Sequence, residues 1–215
     1  MDMDKALHDL LYYYQEDGYE GYDLREVQLL NVIDAERVEK LKVLLQHEDP
    51  YVAYQAMLIL LAWAVPEGFA LLDRFIAEQW ETTTSFEPHR LYGADNVYDV
   101  IADALSVATL NGKSEAELYP YLQQLLSMYG THFFESCLAE LLLRRDCRPL
   151  LKDMETAMEQ AIAQERYYQA SQLFPVLVHY DKRAFEQYNA LFLSLTELDK
   201  RIAFNTAAAL AAANG

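Results

Sequence analysis

The sequence is poor in glycine, proline and cysteine. Its 215 residues include 7 glycines, 6 prolines and 2 cysteines. The scarcity of glycine and proline argues against a turn-rich β protein and against long disordered linkers, because both depend on these residues. The two cysteines, Cys137 and Cys147, lack the spacing of a CxxC metal or redox site. We interpret them as reduced thiols in the core of a cytosolic protein.

Long apolar runs and a leader pattern are also missing. The longest apolar run lies between Ala56 and Pro66, which is too short to span a bilayer. The starting sequence Met-Asp-Met-Asp contains neither the basic region nor the apolar region of a signal peptide. We therefore expect a soluble, cytoplasmic protein that does not bind membranes.

Basic residues are half as frequent as acidic residues. The chain has 17 Lys and Arg against 34 Asp and Glu, a formal net charge of −17. Residues 1–107 hold 21 acids and 7 bases (net −14), whereas residues 108–215 hold 13 acids and 10 bases (net −3). A negative field of this kind repels nucleic acid and attracts basic proteins. We therefore predict a basic protein partner and no nucleic-acid partner.

Apolar residues at helical spacing are abundant. Hydrophobic residues make up 53% of the chain, enough for a continuous core. They recur every three or four residues, and no stretch shows a sustained period of two. The pattern predicts eleven helices, near residues 4–16, 34–46, 51–63, 67–80, 96–109, 115–128, 132–144, 149–163, 166–179, 182–194 and 199–212.

The predicted helices form pairs that repeat along the chain. Units with similar openings start near Asp49, Asp95, Thr131, Glu165 and Asp199, at spacings of 46, 36, 34 and 34 residues. A two-helix repeat of this length is typical of an α-solenoid. We predict an all-α protein, a right-handed α-solenoid of about five antiparallel helix pairs. Residues 1–215 would be one domain, with capping helices in 1–47 and the pairs in 48–215.

One unit resembles a known repeat family. Residues 49–76, DPYVAYQAMLILLAWAVPEGFALLDRFI, resemble a HEAT repeat. The positions that match the family pattern are Asp49, Pro50, Val52, Ala56 and Leu60. Pro175 fits the kinked first helix that is common in that family, and the other units match only in helix length and small residues. The resemblance implies a HEAT-like or armadillo-like superhelix.

Catalytic motifs are absent from the sequence. It has no glycine-rich phosphate loop and no HExxH motif. Two composite sites stay open as alternatives. One pairs Cys137 with His132 as nucleophile and base, and the other is a metal site built from His89, Asp95, Asp99 and His132. Since these residues also fit a packed helical array, we predict no catalytic residue, no metal and no cofactor.

An acidic stripe is the first candidate binding feature. Asp95, Asp99 and Asp103 follow each other at four-residue spacing, which places them on one face of the predicted helix 96–109. Each such pair of like charges costs about 0.2–0.5 kcal/mol, which a surface without a role would not need. The stripe follows an irregular segment, 81–94, that is longer than packing requires. The predicted contact residues are Glu78, Glu81, Glu87, Tyr92, Asp95, Asp99 and Asp103.

The tyrosines are the second candidate feature. Nine of the 16 tyrosines precede residue 107. Tyr12, Tyr13 and Tyr14 cannot all face a helix core, because successive side chains point about 100° apart, so at least one of them should be exposed. Together with Tyr19 and Tyr22 they crowd around four acidic residues, and tyrosine is favoured in protein interfaces. The alternative is that these tyrosines cap the end of the helical array.

These features favour an acidic protein-binding module. The most specific interpretation is an immunity or inhibitor protein that covers the active cleft of a basic, nuclease-type toxin. In size, charge and HEAT-like pattern the chain is similar to immunity proteins of bacterial contact-dependent growth inhibition systems. One alternative is a HEAT-like scaffold that binds a peptide or subunit in its concave groove through Asp73, Gln79 or Gln123. The other is an enzyme with a site built in that groove.

Overall fold

Helices account for 68% of residues 4–215, the part of the chain that the computed structural model describes. The all-α prediction is confirmed, whereas the superhelix and its number of helix pairs stay predictions. The α-helices in the described part are α1 (Lys5–Tyr12), α2 (Leu24–Gln28), α3 (Ala35–Leu44), α4 (Pro50–Ala62), α5 (Pro66–Ala77), α6 (Val97–Ala108), α7 (Glu115–Met128), α8 (Cys137–Arg144), α9 (Leu151–Ala163), α10 (Tyr167–Tyr180), α11 (Arg183–Leu195) and α12 (Ile202–Asn214). One-turn 3-10 helices lie at Trp80–Thr82, Thr109–Asn111 and Arg148–Leu150, and two short strands are β1 (Tyr13–Glu16) and β2 (Tyr19–Tyr22).

The chain divides into two compact units. The N-terminal unit contains the chain up to Pro88 together with Asp103–Ser114. The C-terminal unit contains His89–Ala102 and Glu115–Gly215. Helix α6 begins in the C-terminal unit and ends in the N-terminal one. The expectation of a single repeat domain over 1–215 stays a prediction.

Helix α4 is the core helix of the N-terminal unit. Its start is fixed locally, because the Asp49 carboxylate accepts the N–H of Tyr51 at 2.9 Å and Pro50 occupies the first helical position. The side chains of residues 52–62 are buried on every face of the helix, as expected for a helix in the middle of a core. Helices α2, α3 and α5 pack around it.

Helix α10 has the same central position in the C-terminal unit, where α8, α9, α11 and α12 pack against it. Its buried Gln169 accepts the N–H of Phe134 at 3.0 Å and donates to the carbonyl of His132 at 3.0 Å. These bonds hold the segment before Cys137 in an irregular conformation. Helix α8 therefore begins at Cys137, five residues later than the predicted start near 132.

A β-hairpin replaces the end of the first predicted helix. Helix α1 ends at Tyr12, and β1 and β2 form a two-stranded antiparallel sheet. Asp17 and Gly18 between them both have a positive φ, 52° and 84°, as a tight type I′ turn requires. The prediction of a helix over 4–16 is wrong for residues 13–16. Each strand has only four residues, too few to give a sustained period of two.

Candidate protein-binding surface

The three carboxylates of the predicted acidic stripe lie in different surroundings. Asp95 accepts the N–H of Val97 at 2.8 Å, at the start of α6. Asp103 forms an ion pair with Arg25, whose Nε lies 2.7 Å from its carboxylate, and 29% of the Asp103 side chain is exposed. Asp99 is only 1% exposed. The prediction that Asp99 contacts a partner is therefore wrong, because its carboxylate lies inside the protein.

Asp99 instead holds the N-terminus of α8. Its two carboxylate oxygens accept the N–H groups of Ser136 (3.1 Å), Cys137 (3.2 Å) and Leu138 (3.0 Å). The first N–H groups of a helix have no partner within the helix, and the helix dipole favours a negative charge there. Burial raises the pKa of Asp99, while the three N–H bonds act in the opposite direction. Asp99 thus has a structural role within the C-terminal unit.

Three predicted contact residues lie in the N-terminal unit between the end of α5 and Pro88. Glu78 is exposed and accepts the indole N–H of Trp80 at 2.8 Å, which lowers the pKa of the Glu78 carboxyl. Glu81 and Glu87 are half-buried. The negative charge of Glu87 also lies close enough to the phenol of Tyr51 to contribute to its raised pKa.

Tyr92 belongs to an aromatic and ionic cluster of the C-terminal unit. It is 51% exposed, and its hydroxyl accepts a hydrogen bond from Arg201. The ring of Tyr92 stacks on His89 with a centroid distance of 4.9 Å, and the guanidinium of Arg201 lies 5.3 Å from its centroid. The same guanidinium also donates two hydrogen bonds to the carboxylate of Asp199. Of the seven predicted contacts, the N-terminal unit contains Glu78, Glu81, Glu87 and Asp103, and the C-terminal unit contains Tyr92, Asp95 and Asp99.

The hairpin gathers the second candidate feature. We define the acidic hairpin as residues 13–23, that is β1, the turn, β2 and the following Asp23. Tyr13 is paired with Tyr22, and Tyr14 with Gly21. The acidic hairpin contains no Lys or Arg, and its carboxylates belong to Glu16, Asp17, Glu20 and Asp23. Within residues 4–215 no basic side chain forms an ion pair with any of these four.

On one face of the hairpin, tyrosines and carboxylates bond to each other. The Tyr13 hydroxyl donates to Glu20 at 2.9 Å, and Tyr22 is hydrogen-bonded to Asp9. Each of these bonds raises the pKa of its tyrosine, because a neighbouring carboxylate disfavours the phenolate. The ring of Tyr22 also contacts Tyr13 and His8, at centroid distances of 5.5 and 5.0 Å. This face is therefore ordered by contacts with α1.

On the other face, the Tyr14 ring lies over Gly21, where an added Cβ would come within 3.0 Å of the ring. Tyr12, Tyr13 and Tyr14 are each half-buried, so the predicted exposure of at least one of them is wrong. That prediction assumed that all three tyrosines are helical. Only Tyr12 lies in a helix, and β1 directs the side chains of Tyr13 and Tyr14 to opposite faces. The exposed tyrosines of this region are Tyr19, at 76%, and Tyr22, at 55%.

The charge imbalance of the chain follows the two structural units. The N-terminal unit has 19 acidic and 7 basic residues, a net charge of −12, and the C-terminal unit has 15 and 10, a net charge of −5. Lys40 and Lys42 form ion pairs with acids of α3 and α5, and Arg74 forms one with Glu78, all outside the hairpin. The exposed carboxylates of Asp17 and Glu20 therefore keep their negative field towards solvent.

The described part of the chain contains no group of three His, Cys, Asp or Glu side chains that would hold a metal ion. His89, a member of the composite metal site considered above, lies 3.3 Å from Glu135 instead. His132 packs edge-on against Tyr98, and the Cys137 thiol is hydrogen-bonded to Asp99. No helix between residues 4 and 215 is both long enough and apolar enough to cross a membrane.

Comparison of the chain with protein-family models, curated proteins and solved structures finds no match. The resemblance of residues 49–76 to a HEAT repeat and the wider resemblance to immunity proteins stay predictions. The functional argument therefore rests on the geometry and charge of the acidic hairpin.

Proposed function

We propose that this chain is an acidic protein-binding module whose acidic hairpin covers a basic surface of a partner protein. The observation that carries the proposal is the hairpin itself, which contains no basic residue and exposes Asp17, Tyr19, Glu20 and Tyr22. In its most specific form the chain is a cytoplasmic immunity or inhibitor protein. It would then block the active cleft of a basic, nuclease-type toxin, with carboxylates in the places that substrate phosphates occupy.

Two physical effects support this function. Exposed tyrosines such as Tyr19 and Tyr22 offer apolar area and a hydrogen-bonding tip at low conformational cost, which suits an interface. The carboxylates around them raise the rate of encounter with a basic partner, and such steering accelerates association by about 10-fold to 1000-fold at low salt. The HEAT-like superhelix predicted from residues 49–76 would be the rigid support.

The test removes charge without removing hydrogen-bond acceptors. In the variant Asp17→Asn, Glu20→Gln, the turn keeps a residue that tolerates positive φ, and Tyr13 keeps its acceptor. The partner is captured from the source organism at low salt, identified, and used for association kinetics. We expect a basic protein, an association rate that falls several-fold in the variant, and a weaker dependence of that rate on salt.

The matched control neutralises two exposed acids of the C-terminal unit, Glu186→Gln and Glu197→Gln. An equal loss of rate in both variants would assign the effect to net charge, and unchanged kinetics in the hairpin variant would contradict the proposal. The toxin form has its own assay. Co-expression of the chain must restore growth of cells that produce the partner, and the hairpin variant must restore it less well.

A further inference from the structure

The backbone register of the hairpin shows which groups of β2 face away from β1. The N–H of Asp23 donates to the carbonyl of Tyr12 at 2.8 Å, so this pair is hydrogen-bonded. In an antiparallel ladder, hydrogen-bonded pairs alternate with pairs that are not hydrogen-bonded. Residues two and four positions before Asp23 therefore also bond to β1. Glu20 and Tyr22 lie between them and direct their N–H and C=O groups outward.

This outer edge of β2 is open. In the described part of the chain the sheet contains only β1 and β2. An edge strand with unpaired N–H and C=O groups is a template for another strand, and proteins protect such edges with short strands, charged side chains, Pro or bulges. The four residues of β2, Tyr-Glu-Gly-Tyr, pair with β1 in continuous register and include neither Lys nor Pro. Their one charged side chain, Glu20, disfavours an acidic strand but favours a basic one.

We propose that β2 accepts an antiparallel strand from the partner, and that this strand alternates basic and apolar residues. The inference rests on the proposed function, which supplies a basic partner, and it adds the mode of recognition. Addition of a strand to a sheet edge obtains its affinity from main-chain hydrogen bonds and its specificity from alternate side chains.

The alternation follows from the two faces of the hairpin. Glu20 and Tyr22 lie on one face, and residues directly opposite them in an added strand project to that same face. A Lys or Arg there would meet the carboxylate of Glu20 and the ring of Tyr22, a favourable cation–π partner. Asp9, bonded to Tyr22, adds a second carboxylate on this side. On the other face, next to Tyr19, an apolar residue fits.

A defined peptide tests this pairing without the natural partner. The probe is an end-blocked heptapeptide in which lysine and valine alternate, starting and ending with lysine. In the predicted pairing, lysines lie opposite Glu20 and Tyr22, so the backbone N–H groups of the lysines donate to β2. Two control peptides carry the same charge. One is methylated on the backbone nitrogen of the two inner lysines, and the other on two valines.

Amide hydrogen exchange and the dissociation constant are the measurements. We expect the unmodified and the valine-methylated peptides to slow exchange of the Glu20 and Tyr22 amides. The lysine-methylated peptide should bind about tenfold more weakly, since it loses main-chain bonds, and should give no protection. Equal affinities of the three peptides, absence of binding, or absence of protection at these two amides would overturn the inference.

A pair of protein variants gives an independent check. Glu20→Pro removes the outward N–H, at an edge position where proline leaves the bonds to β1 in place, whereas Glu20→Ala removes only the side chain. Slow exchange of the Asp23 amide shows that the hairpin is intact. We expect Glu20→Pro to bind the peptide about tenfold more weakly than Glu20→Ala, and equal binding contradicts the inference.

The two proposals fail in different ways. If the captured partner responds to charge neutralisation but the peptides bind alike, the protein-binding function stands and strand addition is wrong. If the peptides pair with β2 but no basic partner is captured, strand addition stands and the proposed function is wrong.

Discussion

In the C-terminal unit, polar side chains turn inward, and in the hairpin of the N-terminal unit they turn outward. Asp99 and Gln169 are buried, and their polar atoms bond to the backbone around residues 129–138. The carboxylates of Asp17 and Glu20 in the acidic hairpin face solvent, and Glu20 also accepts the Tyr13 hydroxyl. The comparison teaches that an acidic residue is a candidate contact only where the fold leaves its carboxylate exposed to solvent.

The physical basis of the difference is the cost of burying a charge. A carboxylate is stable inside a protein only if donors surround it, and the N-terminus of α8 supplies three to Asp99. In the acidic hairpin, Asp23 accepts two N–H groups at the start of α2, and Glu16 accepts the N–H of Asn31. Asp17 and Glu20 have no backbone donor and no ion-pair partner in the described part of the chain, so their charge is left for solvent or for a partner.

The largest effect that we expect is from Asp99→Ala in the C-terminal unit. The substitution leaves three N–H groups of α8 without their acceptor, which should lower the free energy of unfolding by about 3 kcal/mol. Urea denaturation measures this loss. The control is Asp95→Ala, which removes the half-buried acceptor of the Val97 N–H and should cost about 1 kcal/mol.

The same experiment has a counterpart in the hairpin. The variant Asp17→Asn, Glu20→Gln should change the free energy of unfolding by less than about 0.5 kcal/mol, because its charges have no internal role. The distinction between the two regions would be wrong if Asp99→Ala lowered the free energy of unfolding by less than about 1 kcal/mol. It would also be wrong if the hairpin variant lowered it by more than about 1 kcal/mol.

An intermediate effect is expected from removing one tyrosine hydroxyl in each unit. The Tyr180 hydroxyl accepts the N–H of Cys147 at 3.0 Å and donates to the carbonyl of Leu142 at 2.7 Å. Tyr180→Phe should lower the free energy of unfolding by about 1–2 kcal/mol, because a buried N–H loses its acceptor. Tyr19→Phe should cost less than about 0.5 kcal/mol, since that side chain is exposed. Thermal or urea denaturation measures the free energy of unfolding of both variants. Equal losses in the two variants would contradict the prediction.

The smallest effect is expected at alkaline pH in the N-terminal unit. Burial, together with the charge of Glu87, raises the pKa of Tyr51 from 10.0 to about 12. Above pH 10 the unfolded chain loses this proton before the folded chain does, so the free energy of unfolding falls as pH rises from 10 towards 12. The decline should be shallow, because the Tyr51 side chain is 38% exposed and solvent screens its interactions.

Tyr51→Phe should flatten this alkaline decline, and Glu87→Gln should flatten it partly. Urea denaturation at pH values from 9 to 11 provides the slope. The same slope in the wild type and in Tyr51→Phe would show that the pKa of Tyr51 is not raised in the folded protein.

Helices with local start signals were predictable from the sequence. The predicted helix 115–128 coincides with α7, and α4 begins where Asp49 and Pro50 indicate. The hairpin also had a local signal, the Asp17-Gly18 dipeptide between two short tyrosine-rich runs, which is typical of a two-residue turn. The start of α8 is fixed by distant residues, because Asp99, 38 residues before Cys137, and Gln169, 32 residues after it, bond the backbone around that point.

The sequence by itself determined the helical class of the protein and the concentration of acid in its N-terminal half. Both follow from local periodicity and from composition, which do not depend on distant contacts. Only the tertiary structure decided which carboxylates face outward. Asp99 is enclosed because the chain returns 37 to 39 residues later to present the N-terminus of α8. The acidic hairpin stays exposed because no segment within residues 4–215 pairs with the outer edge of β2.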